Sequence, residues 1–192
     1  MGCNSLRRLL PLAKALLAMT PQPNGRKSVR KCSTRMIGFG YDIHKLASGE
    51  SLTLGGIHFP EATLGTVAHS DGDVLLHAIM DALLGAVALG DIGMHFPDTD
   101  PQYKNADSTE LLKKVGAMLN TKNLHILNID STVVLEQPKL RDHIYAMRKN
   151  IAEALALNID QVSVKATTSE RIGFVGREEG LAAYAVCQLD II

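Results

Sequence analysis

After residue 36 the spacing of apolar positions switches back and forth between strand-like and helical. Residues 36–43 read as a strand carrying glycines, and residues 52–57 as part of a hairpin closed near Gly55-Gly56. Residues 74–89 are apolar nearly all round, which predicts a deeply buried helix. Ser70, Asp71 and Asp73 crowd its start as candidate caps, and Gly90 is expected to end it. A second helix is predicted over 108–122, capped by Ser108 or Asp107, with Leu111, Leu112, Val115 and Leu119 in one stripe. A third is predicted over 141–157, with Ile144, Met147, Ile151 and Leu155 on one face. Residues 129–135, 162–167 and 181–191 read as strands. Strands alternating with helices give an α/β or α+β class, with helices packed on a sheet. No internal repeat or linker follows residue 36, so residues 36–192 are expected to form one domain.

Composition narrows the picture. The chain has 192 residues, 46% of them hydrophobic and 21% charged, as in an ordinary globule and unlike a disordered chain. No apolar run approaches the roughly 18–20 residues of a membrane span. The net charge of zero hides an asymmetry. Eight of the 20 Lys and Arg lie in residues 1–35, which hold no Asp or Glu; residues 36–192 keep 12 basic against all 20 acidic residues. Residues 1–35 thus form a basic leader, read as an organelle transit peptide, as the product of a mis-set start with the true start at Met36, or as a disordered tail. Only Cys187 of the three cysteines lies in the body, which leaves no intrachain disulfide or thiolate cage there and suits a reducing compartment. Any metal must then use His and carboxylate ligands.

Asp42 and His44, two apart in a strand, present a carboxylate and an imidazole on one face. His77 is the candidate third ligand of a zinc site with an open position. It shares a helix face with Asp73 and Asp81, a polar ladder that is costly in an apolar helix unless paired or metal-bound. Alone, an Asp-x-His pair reads more readily as a hydrogen-bonded core histidine than as a ligand set. The run His69-Ser70-Asp71-Gly72-Asp73 precedes a helix start, where a phosphate would be favoured with His69 and Ser70 as donors; the alternative is a capping turn. Gly90-Asp91-Ile92-Gly93 and Phe96-Pro97-Asp98-Thr99-Asp100 make an acid-rich loop, either a solvated connection or a contact for polyol hydroxyls. Lys165-Ala166-Thr167-Thr168-Ser169-Glu170 leaves a strand with three hydroxyls for phosphate oxygens and a carboxylate for a hard divalent ion. The glycine loop Gly173-Phe174-Val175-Gly176-Arg177 adds a cationic anion contact.

Together with Gly40-Tyr41-Asp42-Ile43-His44, Asp81-Ala82-Leu83-Leu84-Gly85 and Pro138-Lys139, these segments resemble the 2-C-methyl-D-erythritol 2,4-cyclodiphosphate synthase family in order and spacing, from residue 36 to the end. The resemblance implies a mixed β-sheet with helices on one face and a homotrimer with active sites between subunits. It also implies a phosphorus–oxygen lyase of non-mevalonate isoprenoid biosynthesis. The 2-phosphate of 4-diphosphocytidyl-2-C-methyl-D-erythritol 2-phosphate attacks its own β-phosphorus and releases CMP, so the enzyme positions groups and neutralises charge. By the same resemblance Asp42, His44 and His77 match the Zn²⁺ ligands, and Glu170 matches the ligand of a Mg²⁺ or Mn²⁺ ion bridging the phosphates. His69 and Thr168 match residues that stabilise the transition state. Ser70, Asp91, Ile92, Gly93 and the segment Phe96, Pro97, Asp98, Thr99, Asp100 match the methylerythritol region. Leu135, Glu136, Gln137, Pro138, Lys139, Leu140 and Arg141, with Thr167, Ser169 and Phe174, match the cytidine and phosphate region. Arg177 matches a residue near the central cavity of the trimer. Ser169 stands where a third Thr is usual, and Glu136 where a small residue is common. The partner is a small nucleotide diphosphate rather than nucleic acid. The location is bacterial-type cytoplasmic, or a plastid-type organelle if residues 1–35 are a transit peptide. Two alternatives are a zinc-dependent phosphohydrolase, with water as nucleophile, and a non-catalytic trimer that binds isoprenoid diphosphates.

Overall fold

Two glycines on the first strand set how close the central helix comes. The computed structural model describes residues 35–191, so the leader lies outside the described residues except for Arg35. The first strand, β1, spans Met36–Ala47, and the buried helix α1 spans Val74–Ala86. A methyl group on Gly38 would overlap the carbonyl oxygen of Ala82, and one on Gly40 that of Ala78. Helix and strand therefore meet backbone to backbone. In α1 the side chains of Val74, Leu75, Leu76, Ile79, Leu83 and Leu84 are wholly out of water, each contributing roughly 1.5–3 kcal/mol.

A short hairpin follows β1, with β2 at Thr53–Leu54 and β3 at Ile57–His58 turning through Gly55 and Gly56, both at positive φ. Strand β4 is Gly65–Val67. After α1 come a short helix α2 (Ile92–His95), helix α3 (Ser108–Thr121), strand β5 (Leu124–Val134), helix α4 (Ile144–Ala154), strand β6 (Val162–Thr167), a short helix α5 (Gly173–Gly176) and strand β7 (Gly180–Ile191). The main sheet runs β4-β1-β7-β5-β6, with β5 and β6 parallel and the other pairs antiparallel. The expected mixed sheet is therefore present, and α1, α3 and α4 build the core against one of its faces.

Several boundaries differ from the sequence reading, and β1 itself runs four residues past 43, to Ala47. Helix α1 stops at Ala86, short of Gly90: Ala88 takes the left-handed conformation (φ 55°), the Ala88 N–H donates to Gly85 O, and the Leu89 N–H to Leu84 O. This is a Schellman ending built on alanine, where glycine is the usual signal. The third long helix starts as a 3₁₀ turn over Arg141–His143 and ends at Ala154, short of 157. Strand β5 begins five residues before 129, because its N-terminal half pairs with the end of β7. Among the described residues no helix is long and apolar enough to cross a membrane.

Candidate functional site

Asp42 and His44 sit on β1 with their side chains toward the helix layer, and α1 brings His77 to meet them. Asp42 Oδ2 is 2.9 Å from His77 Nδ1 and 3.1 Å from His44 Nδ1. One candidate ligand atom from each of the three residues lies within 4.8 Å of the others. Ligands about 2.0–2.1 Å from a tetrahedral ion are separated by about 3.3 Å, close to these distances. His44 Nδ1 is buried, and its contact with Asp42 lacks hydrogen-bond geometry, so the atom has no partner. A buried nitrogen left unpaired is costly, and a metal ion is the partner this donor set fits. Desolvation pushes the Asp42 carboxyl up, but the His44 and His77 contacts outweigh it and hold it well below the usual carboxylate range. Desolvation lowers His44, and the Asp42 carboxylate more than reverses that, leaving it raised. The trio thus behaves as one electrostatic unit.

The expected ladder on α1 divides into three tasks. Asp73 caps the helix through the Leu76 N–H and also accepts the N–H groups of Gly55 (3.0 Å) and Gly56 (2.7 Å). Burial pushes its carboxyl up to about 6 against these donors. His77 faces the metal trio. Asp81 accepts the Ile92 N–H at 2.8 Å and so holds the start of α2. Asp71 spans to α3, accepting the Ser108 N–H and hydroxyl. His77 Nε2 lies 3.0 Å from Ser108 Oγ and 3.4 Å from Ser70 Oγ.

A cavity of about 360 Å³ opens over the trio, lined also by His69, Ser70, Ile92, Gly93, Phe96 and Asp98. Asp91 and Asp100 lie just outside it and cap short helices: Asp91 accepts the Met94 N–H, and Asp100 accepts the Gln102 N–H. Pro97 and Thr99 do not line it. Tyr103 and Leu111 do, although the sequence pointed to Leu111 only as part of a core stripe and to Tyr103 not at all. The ring of Tyr103 packs edge-on to Phe96 at 5.5 Å, a pairing across seven residues of loop that spacing alone does not signal.

The remaining residues gather elsewhere. A cleft of about 740 Å³ is lined by Leu135, Pro138, Lys139, Leu140, Arg141, Thr167 and Thr168. Beside it a second of about 820 Å³ adds Glu136, Gln137, Glu170 and Arg177. Phe174 lines neither. The Thr168 hydroxyl donates to Glu170 at 3.1 Å. Ser169 lines neither cleft; its N–H donates to Glu136 at 2.9 Å and the Arg171 N–H joins at 3.2 Å, while its hydroxyl, with one hydrogen to give, has the Ile172 carbonyl oxygen at 2.8 Å and Glu136 at 3.0 Å as alternative acceptors. Glu136 is therefore a brace for the 169–171 backbone.

Within one chain the two groups do not meet. Asp42 pairs with Ala183, Ala183 with Val133, and Val133 with Ala166, forming one row across four strands. Three strand spacings put β1 about 14 Å from β6. Asp42 and His44 are carried by β1, whereas Thr168 and Glu170 follow the end of β6, and the cavities of the two groups share no lining residue.

Comparisons with known proteins identify the family. A family model described as the YgbB family matches residues 35–190. The 2-C-methyl-D-erythritol 2,4-cyclodiphosphate synthase of Ectopseudomonas mendocina is 56% identical over 153 residues, 80% of this chain and 97% of that protein. Among solved structures, the bifunctional IspDF of Campylobacter jejuni superposes with a TM-score of 0.79 at 43% identity, over 83% of this chain and 43% of that longer one. The CDP complex of IspF from Plasmodium falciparum gives 0.72 at 33% identity, over 82% and 96%. A match along nearly the whole described chain makes this protein a member of the YgbB family, the 2-C-methyl-D-erythritol 2,4-cyclodiphosphate synthases.

Proposed function

We propose that the chain is a 2-C-methyl-D-erythritol 2,4-cyclodiphosphate synthase whose working site is assembled between subunits of a homotrimer. The observation that carries this reading is the division of the site. One chain holds Asp42, His44 and His77 in one cavity and Thr168, Glu170 and Lys139 in others that share no lining residue with it, while β1 and β6, the strands leading to Asp42 and Thr168, are about 14 Å apart. A second copy can supply the missing half. The open face of the sheet suits that assembly, because Ile37, Phe39, Tyr41 and Ile43 of β1 and Tyr184 and Val186 of β7 are exposed there in one patch. Apolar patches of this kind mark interfaces.

In this reading Leu135, Pro138, Lys139, Leu140 and Arg141, with Thr167, hold the cytidine and diphosphate. Ile92, Gly93, Phe96 and Asp98 flank the methylerythritol. His69, Ser70 and Thr168 donate hydrogen bonds to phosphate oxygens as charge builds on them. Bound zinc at Asp42, His44 and His77, and magnesium or manganese at Glu170, would supply positive charge against the phosphates. The substrate brings its own nucleophile, so the protein's residues hold the 2-phosphate in line with the β-phosphorus and leave CMP as the departing group. Residues 36–192 carry this function. Residues 1–35 act as a transit peptide to a plastid-type organelle, or stand outside the functional protein if the true start is Met36 and the enzyme is cytoplasmic.

The test is phosphorus NMR of the protein with the cytidyl diphosphate 2-phosphate substrate and Mg²⁺. A cyclic diphosphate is expected to grow in step with CMP. CMP with an acyclic product would mean that water is the nucleophile and would overturn the cyclase.

A further inference from the structure

We infer that Asp71 and Ser108 form a proton-fixing relay behind His77, setting which ring nitrogen faces the metal. Neither residue belongs to the metal trio, and the two come from different elements: Asp71 from the turn before α1, Ser108 from the first residue of α3. Ser108 is wholly buried, and His77 nearly so.

The argument counts hydrogens. A serine hydroxyl has one hydrogen to give and lone pairs to receive with, and a carboxylate only accepts. Ser108 Oγ is 2.5 Å from Asp71 Oδ1, while the Ser108 N–H donates to Asp71 Oδ2 at 2.9 Å. A contact that short between two oxygens needs a hydrogen between them, and charge-assisted bonds fall in this range. The hydroxyl's hydrogen is thus committed to Asp71, and Oγ is left as an acceptor. His77 Nε2, 3.0 Å away, must then be the donor. Ser70 Oγ, at 3.4 Å, receives the Gly72 N–H and is a longer second acceptor for the same N–H. With Nε2 carrying the hydrogen, the neutral ring offers its lone pair at Nδ1, the atom that lies 2.9 Å from Asp42 Oδ2 in the trio. Partners of this kind orient a metal-binding histidine, and their removal typically weakens metal binding about 10–100-fold.

The relay rests on the reading of Asp42, His44 and His77 as a metal site, and the test separates the two. Zinc binding is measured by competition with a chromogenic chelator for the full chain, His77→Ala, Ser108→Ala and Ser108→Thr. Ser108→Ala is expected to bind zinc about 10–100-fold more weakly, and Ser108→Thr, which keeps the hydroxyl, within about threefold of the parent. A purely structural role as the first residue of α3 would lower the melting temperature of Ser108→Ala and leave zinc affinity unmoved; that result overturns the relay alone. Equal zinc binding by the parent and His77→Ala overturns the site and the relay together. The ¹H–¹⁵N imidazole spectrum of the zinc-loaded parent needs no variant. A proton on His77 Nε2 and none on Nδ1 is expected, and the reverse overturns the relay.

Discussion

Glu136 owes its role to the direction of its carboxylate. From the sequence it is an extra acid in the loop expected to hold the nucleotide. In the structure the backbone N–H groups of Ser169 and Arg171 converge on one of its oxygens. The backbone it braces needs support, since Glu170 (φ 53°) and Arg171 (φ 62°) are consecutive left-handed residues without the freedom of glycine, a conformation costing about 1–3 kcal/mol per residue. Glu136→Ala should release the segment that carries Thr168 and Glu170. Its kcat is expected to fall, with Glu136→Gln recovering part of it in steady-state assays. Partial desolvation pushes the Glu136 carboxyl up, but the Arg171 and Ser169 donors outweigh it and leave it lowered. A lowered folded-state value makes the bracing complete above about 4.5, the ordinary glutamate value, and lost as the pH falls through the lowered one. The Ser169 and Arg171 amide resonances should therefore titrate with a midpoint below 4.5; a midpoint above it would contradict the brace.

Among the elements, the contact of β1 with α1 decides whether the metal trio exists, because each contributes ligands and their backbones come closest at Gly38 and Gly40. Gly40→Ala should force them apart. Overpacking costs about 1–3 kcal/mol and lowers the melting temperature by about 2–4 °C per kcal/mol in a chain of this size. Bound zinc should fall as well, measured by metal analysis of the folded variant, while Gly49→Ala, with open space around it, should keep its zinc. The elements themselves were largely legible in the sequence. The glycine-bearing strand, the Gly55-Gly56 hairpin, the buried helix begun by Asp73 and the strand over Val162–Thr167 all rest on local spacing and caps. Ala88 was not legible because it ends α1 in a conformation that alanine rarely takes; the rest depends on partners distant in sequence, since Asp71 finds Ser108 across 37 residues and Glu136 finds Ser169 across 33. Of the site, Asp42, His44 and His77 converge as their motifs implied, whereas Tyr103 and Ser108 entered through tertiary packing.

For the whole molecule, the row from Asp42 through Ala183 and Val133 to Ala166 acts as a spacer that keeps the two halves of the site on different strands of every chain. If each working site in the proposed ring of three takes its metal half from one copy and its nucleotide half from the next, the two halves can be inherited from different genes. A ring mixing copies of His77→Ala with copies of Lys139→Ala has one junction at which an intact metal half meets an intact nucleotide half. Two proteins dead on their own, unfolded together and reassembled in equal amounts, should then regain about a quarter of the parent's turnover, since about three rings in four are mixed and each has about one live site in three. Sites contained within single chains would regain nothing. Intragenic complementation is thus the genetic signature of a catalytic centre that one polypeptide carries only in halves.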